Sequence, residues 1–172
     1  MATLAQIYTG LTGHSASGKE VGREVTPWVL ESQGVEPGGA FVALGTGTRR
    51  EDIIEAVRRG AVVVVAEGAA AEFAGIGAQI VSGATTSGEP LQPPVLFVVE
   101  NGRAAIQKLI SGRRSHTSPH LQIIAIVGTG GRATVKEMIS VVLGQRFRTW
   151  QGTKRASDLA ALLTLLDMPL DT

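Results

Sequence analysis

Apolar residues recur along this chain with two different spacings, which predict helices alternating with strands. Leu4, Ile7 and Leu11 share one face of a helix that Gly13 ends. Helical patterns cover residues 3–11, 50–59, 101–114 and 132–143, with a last helix that ends before Pro169. Short apolar runs predict strands at 24–30, 40–44, 61–66, 78–81, 95–99, 121–127 and 147–150. This alternation predicts an α/β fold with mostly parallel strand pairing.

The chain divides most naturally at the polar residues 115–120. We therefore predict a first domain over residues 1–118 and a second unit over 119–172. The second unit is a short βαβα segment, in which Ser157 is expected to cap the last helix. Two strands and two helices are too few to close a core, since a nucleotide-binding domain needs about 100 residues. The unit should therefore pack onto the first domain or onto another chain.

Composition excludes several classes of protein. The 172 residues carry a net charge of only +1, so no general attraction to nucleic acid is expected. There is no cysteine, which excludes disulfides and thiolate chemistry. The N-terminus lacks the pattern of a signal peptide, and the most apolar run, 61–66, is too short to cross a bilayer. We expect a cytoplasmic protein without membrane insertion.

A glycine-rich turn stands between the apolar run 121–127 and the helix that follows. Strand, glycine turn and helix are the layout of a Walker A phosphate-binding loop, G-x-x-x-x-G-K-[ST]. Ala125 takes the first glycine position and Gly131 the second. Arg132 stands in place of the lysine, and Ala133 in place of the hydroxyl residue that binds magnesium.

These two replacements remove the chemistry that such a loop performs. The lysine reaches the β- and γ-phosphates as a compact charge, whereas Arg132 is planar and bulkier. Thr134 comes one residue too late, because one helical residue is a rotation of about 100°. Backbone N–H groups at a helix start still favour an anion. We expect either weak, vestigial phosphate or nucleotide binding or a ligand-free turn at Gly128, Thr129, Gly130, Gly131, Arg132, Ala133 and Thr134, with no catalytic residue.

Four segments in order resemble the Mur ligase family, the MurF type first and the MurE type next. Residues 35–44, VEPGGAFVAL, are similar to the family's v-x-p-G-d-l-F-v-A-l. Residues 53–66, IIEAVRRGAVVVVA, resemble f-i-x-x-A-x-x-x-G-A-x-a-v-v. Residues 124–139, IAIVGTGGRATVKEMI, match I-G-I-T-G-T-N-G-K-T-T-T-K-E-M-I in frame. Residues 159–169, LAALLTLLDMP, resemble g-x-P-L-T-L-L-x-L-P.

The resemblance implies an N-terminal domain that holds the UDP end of a muramoyl-peptide and the start of a central domain that binds ATP and magnesium. It implies that Ser32, in the segment similar to the family's D-S-R motif, contacts the UDP substrate; the alternative is a serine in a turn. That segment reads Glu31-Ser32-Gln33, so its arginine is missing. The family's G-N-x-N-N is replaced by residues 152–156, GTKRA, and its D-G-H is absent. Motifs on the substrate side and on the ATP side have therefore both changed. ATP and magnesium are implied by the resemblance alone, and we expect that this chain requires no cofactor.

Three functions remain open. The chain is a catalytically inactive Mur-ligase-like protein with a binding or assembly role, a domain that binds a UDP-sugar or a nucleotide, or a fragment of an ATP-dependent UDP-N-acetylmuramoyl-peptide ligase. Either a homo-oligomer or another protein chain is expected to cover apolar residues of the second unit. No metal site is expected, since Pro119 breaks the helical spacing of His116 and His120. The apolar residues expected at the interface are Ile124, Ile126, Leu159, Leu162 and Leu166.

Overall fold

The computed structural model describes residues 1–44, 49–83, 90–114, 121–152 and 158–169. The helices are α1 (Leu4–Thr12), α2 (Arg50–Arg58), α3 (Gly102–Arg114), α4 (Arg132–Gly144) and α5 (Asp158–Asp167). The strands are β1 (Ala2–Thr3), β2 (Glu24–Val25), β3 (Trp28–Val29), β4 (Ala40–Ala43), β5 (Val63–Glu67), β6 (Gln79–Val81) and β7 (Val95–Val99). Short 3-10 helices lie at Ser32–Gly34 and Ala70–Phe73.

The core is a five-stranded parallel sheet with the strand order β3-β4-β5-β7-β6. The predicted α/β fold is therefore confirmed. The valine-rich β5 lies in the middle, where both of its faces are covered, as a continuous apolar run predicts. The run predicted over 24–30 forms two short strands instead of one, because Pro27 between them has no N–H to donate to a ladder. β1 and β2 pair in a separate antiparallel ribbon.

Side chains of alternate strand residues build two cores, one on each face of the sheet. Val63 and Val65 lie in the core that α1, α3 and α5 cover. Val64 and Ala66 lie in the core that α2 and the 3-10 helix Ala70–Phe73 cover. The sheet is therefore fully sandwiched, and its strands all end at one carboxyl edge, which in open α/β sheets is the usual place for a ligand.

Two predicted helix boundaries are confirmed by the capping geometry. Gly13 ends α1 in the left-handed conformation, at a φ of 81°. Asn101 begins α3, because its Oδ1 accepts a hydrogen bond from the Ala104 N–H at 2.8 Å. The expected Ser157 cap and the seam at 115–120 lie outside the described residues.

The last helix, α5, packs onto α3 and β3. Leu163 and Leu166 are completely or almost completely buried in the core that β3, α1 and α3 share. The expectation that Leu166 is an interface residue is therefore wrong, and Leu159 and Leu162 also pack against this core. The apolar face of α5 is covered by the chain itself, so it needs no second protein.

Polar contacts fix the carboxyl end of α5. Asp167 Oδ1 accepts hydrogen bonds from the backbone N–H of Trp28 at 3.0 Å and from Thr26 Oγ1 at 3.1 Å. The buried Arg113 guanidinium, on α3, donates from Nη2 to the Met168 carbonyl. Burial lowers the pKa of Arg113, while Asp167 and Glu24 act in the opposite direction. The carboxylate of Asp167 thus blocks the open edge of β3 and anchors α5 to it.

Two of the seven predicted strands do not form: residues 121–127 and 147–150 are in no strand. A strand is stable only when its N–H and C=O groups pair with a neighbouring strand. Among the described residues, the backbone of 121–127 makes no hydrogen bond to another backbone group. The apolar run therefore has the composition of a buried strand but no partner strand.

Candidate functional site

The predicted phosphate loop lies at the start of α4. Gly131 is the residue that begins the helix, in the left-handed conformation at a φ of 70° and without a side-chain cap. The first hydrogen bond of the helix runs from the Val135 N–H to the Gly131 carbonyl, at 3.0 Å. The N–H groups of the first turn precede this bond, so they have no helical partner. The turn and helix that the sequence predicts are present, but the strand that should lead into them is absent.

The loop lies on the surface rather than in a cleft. All of the predicted binding residues from Gly128 to Thr134 are exposed. Arg132 and Ala133 occupy the first two positions of α4, where the lysine and the hydroxyl residue of a Walker A loop would stand. An exposed loop leaves a bound phosphate in water, where electrostatic attraction is weak. The site therefore offers little beyond backbone N–H groups and one guanidinium.

Lys136, one turn into α4, is engaged within the chain. Its Nζ donates a hydrogen bond to the carbonyl of Gly152 at 2.5 Å. The sequence places Arg132 and Lys136 on one helix face, where both could contact an anion. Because the ammonium of Lys136 already binds a carbonyl, Arg132 is the cation of this pair that faces solvent.

Ser32 lines an open groove between the 3-10 helix Ser32–Gly34 and α2. The groove has a volume of about 500 Å³, and Ser32 is nine-tenths buried at its wall. The lining residues are Ser32, Gln33, Glu51, Asp52, Ile54, Glu55 and Arg58. The structure thus brings Ser32 together with α2, but not with the glycine loop residues, which line no part of this groove.

The groove at Ser32 is acidic. Glu51, Asp52 and Glu55 outnumber the single cation, Arg58. Glu55 is also held in an ion pair with Arg59, at 3.5 Å. Gln33 stands where the family motif has an arginine beside the serine, so this position supplies no guanidinium. A diphosphate in this groove would meet repulsion rather than attraction, since like charges at about 4 Å repel by roughly 1 kcal/mol even in water.

The carboxyl edge of the sheet carries a second acidic feature that the sequence patterns did not reveal. Glu67, the last residue of β5, accepts a hydrogen bond on Oε1 from the Gly102 N–H at 2.7 Å. Asn101 accepts the Ala104 N–H in the same turn. The first turn of α3, where an anion could bind, is thus filled by side chains of the chain itself. The only signal in the sequence is a carboxylate that directly ends the valine run.

Exposed apolar side chains are concentrated in one segment. Within the described ranges, every large hydrophobic residue that is highly exposed lies between residues 123 and 147. They are Ile123, Ile124, Val127, Val135, Met138, Val141, Val142 and Phe147. Val127 is 91% exposed and Val142 is 70% exposed, and α4 buries no residue at all. Exposure of this extent in one segment is typical of a surface that binds another molecule.

Neither a metal site nor a membrane span is found in the part of the chain that the structure describes. No three His, Asp or Glu side chains there come close enough to hold a metal ion. His116 and His120 lie outside the described residues. Among the described helices, none is long and apolar enough to cross a membrane.

Solved structures show the same fold. No family model matches the chain. Two structures from Acinetobacter baumannii are similar, each with a TM-score of 0.61 and 22% sequence identity over 97% of this chain. One is the UDP-N-acetylmuramoylalanyl-D-glutamyl-2,6-diaminopimelate--D-alanyl-D-alanyl ligase, and the other is MurF. The match covers 33% of each of those chains, so this chain spans about a third of their length. The chain therefore has the fold of the corresponding third of MurF, and the likeness to Mur ligases that its motifs predict is confirmed as a likeness of fold.

Proposed function

We propose that this chain is a non-catalytic protein with a Mur-ligase-like fold and a binding or assembly role. The observation that carries the proposal is the state of the glycine loop. Arg132 and Ala133 stand where a working loop has its lysine and its magnesium-binding hydroxyl, and the loop is open to solvent. Phosphoryl transfer depends on positioned charge in a site that excludes water. This loop supplies neither condition.

The acidic groove at Ser32 supports the same proposal from the substrate side. The MurF structures belong to ligases whose substrates carry a UDP group, by the name of one of them. Here the groove beside Ser32 carries three carboxylates against one guanidinium. The groove is thus unsuited to a diphosphate, and the loop is unsuited to phosphoryl transfer.

A phosphate-release assay tests the proposal. The purified chain is incubated with ATP and magnesium, with a heat-denatured sample as the control. We expect no release of inorganic phosphate above that control. The double variant Arg132→Lys, Ala133→Thr should also be inactive, because the strand that positions a working loop is missing. Magnesium-dependent release by the unmodified chain would overturn the proposal.

A UDP-sugar-binding domain is the alternative, and the burial of Ser32 in a groove favours it. The test is the melting temperature with and without UDP-N-acetylglucosamine. A ligand at 100 times its Kd adds about 2.7 kcal/mol to the free energy of unfolding. Our proposal predicts no rise at millimolar concentration. A rise that Ser32→Ala abolishes, while Thr12→Ala leaves it unchanged, would establish the alternative.

A further inference from the structure

The carboxyl end of α5 holds the outer edge of β3. This strand is only two residues long, Trp28–Val29, and among the described residues it pairs with β4 alone. On its other side, Asp167 Oδ1 accepts hydrogen bonds from the Trp28 N–H at 3.0 Å and from Thr26 Oγ1 at 3.1 Å. A short edge strand with one partner strand is marginally stable by itself, so the position of β3 depends on α5 as well as on β4.

The base to which α5 is fixed is α3. Arg113, near the end of α3, is buried and donates a hydrogen bond from Nη2 to the Met168 carbonyl. The apolar face of α5 is buried in the core that also holds Trp28. Packing against α3 and this core therefore sets where α5 lies, and the Asp167 carboxylate passes that position on to the edge strand.

Strand β3 leads within two residues into the 3-10 helix that forms one wall of the groove at Ser32. Gly34 in this helix lies against Val29, since a Cβ placed on Gly34 would meet Val29 Cγ1 at 3.9 Å. The Gly34 N–H donates a hydrogen bond to the Glu31 carbonyl at 3.0 Å, and the Val35 N–H donates one to the Ser32 carbonyl at 3.2 Å. Both acceptors lie at the end of the 3-10 helix that follows β3, so a shift of β3 moves them.

The far end of this 3-10 helix is fixed independently of α5. Val35 is buried in the core on the opposite face of the sheet, and its carbonyl accepts a hydrogen bond from Arg59 Nε at 3.4 Å. Arg59 directly follows α2, which forms the other wall of the groove. One end of the 3-10 helix is thus tied to α2 and the other to β3, so the width of the groove depends on where β3 lies.

We propose that α5 sets the shape of the groove at Ser32 by holding β3 through Asp167. When α5 is attached, Ser32 is held at the groove wall; when α5 detaches, β3 is released and the 3-10 helix moves about Val35. The coupling is reciprocal by thermodynamic linkage, so a molecule that fits the groove in its described shape also favours the attached α5. Asp167 is thus a positioning residue that acts through the Trp28 N–H. This inference goes beyond the proposed lack of ATP chemistry, and the outcome of the phosphate-release assay leaves it as it stands.

Two spin labels across the groove test the proposal. The chain contains no cysteine, so two introduced thiols can be labelled without background. Labels at Gln33→Cys and Arg58→Cys stand on opposite walls of the groove, at exposed positions. Double electron–electron resonance measures the distribution of the distance between them. We expect this distribution to become at least twofold broader when Asp167→Ala is added to the labelled chain, and the Gly34 and Val35 amides to exchange their hydrogens at least tenfold faster.

Matched variants separate this coupling from a general loss of stability. Asn101→Ala removes the cap of α3, away from the groove lining, and should leave the label distance and the exchange of the 3-10 helix amides unchanged, because so short a helix opens locally. Asp167→Asn keeps an oxygen acceptor and should restore the narrow distribution. Thr26→Val removes one of the two donors and should give a smaller broadening; if Asp167→Ala does not fold, this variant carries the test.

Three outcomes would overturn the inference. The first is a label distance and an amide exchange rate that Asp167→Ala, or Thr26→Val in its place, leaves unchanged. The second is equal broadening in Asn101→Ala, which would reduce the effect to general instability. The third is a distribution as broad for Asp167→Asn as for Asp167→Ala, which would show that the hydrogen bonds of Asp167 do not hold β3.

Discussion

Asp167 is the residue on which the attachment of the last helix most directly depends. Its Oδ1 accepts two hydrogen bonds, from the Trp28 N–H and the Thr26 hydroxyl. Asp167→Ala leaves both donors without this acceptor, so we expect a loss of about 1–3 kcal/mol in the free energy of unfolding. Urea denaturation measures it. Asp167→Asn keeps an oxygen acceptor and should lose less, and equal losses for both variants would contradict the assignment.

Leu163 tests the packing of the same helix. Its side chain is 0% exposed, between α5 and the sheet. Leu163→Ala should cost about 2–5 kcal/mol, because a cavity is left in a packed core. Val142→Ala on α4 is the matched control, since this side chain is 70% exposed, and it should change stability by no more than about 0.5 kcal/mol. Similar losses for the two variants would show that α5 is not docked as described.

The sequence predicts contacts between residues that are close along the chain better than contacts between residues that are far apart along it. Asn101 could be assigned as a cap because its partner is three residues away. Asp167 could not be assigned, because its partner Trp28 is 139 residues away. Arg132 and Ala133 could be placed on the helix from the glycine pattern alone, but their exposure depends on the strand that did not form.

At the scale of elements, the cap of α3 is the most direct test of a predicted boundary. Asn101→Ala removes the side chain that accepts the Ala104 N–H, and caps of this kind contribute about 0.5–2 kcal/mol. We expect a loss in that range by thermal or urea unfolding. Asn101→Asp should retain most of the stability, since a carboxylate also accepts this bond. A loss with Asp as large as with Ala would exclude the cap.

A strand could be predicted from its apolar sequence pattern where neighbouring strands are present to pair with it. The valine run of β5 has neighbours on both sides, so strand composition and strand structure coincide. The run 121–127 has the same composition but no neighbour in the described chain, so it stays irregular. Apolar composition therefore predicted which segments are apolar enough for a buried strand. The presence of a neighbouring strand determined whether the strand formed. The same argument applies to α4, whose helical period was evident but whose exposure was not.

At the scale of the whole molecule, the α/β fold and its likeness to Mur ligases were both predictable, because several motifs occur in order along the chain. The second unit was expected to pack onto the first domain or onto another chain, and its helix α5 does pack onto α3 and β3. A division of the chain at residue 118 stays a prediction, and so does a homo-oligomer.

We propose that this chain shares the fold of one third of MurF and lacks ATP chemistry. The most direct test is a calorimetric titration of ATP into the purified chain, once with magnesium and once with EDTA. We expect weak binding of about 4 kcal/mol at most, in the millimolar range, with the same affinity in both buffers, since Ala133 offers the metal no hydroxyl. Affinity that rises tenfold or more with magnesium would contradict it.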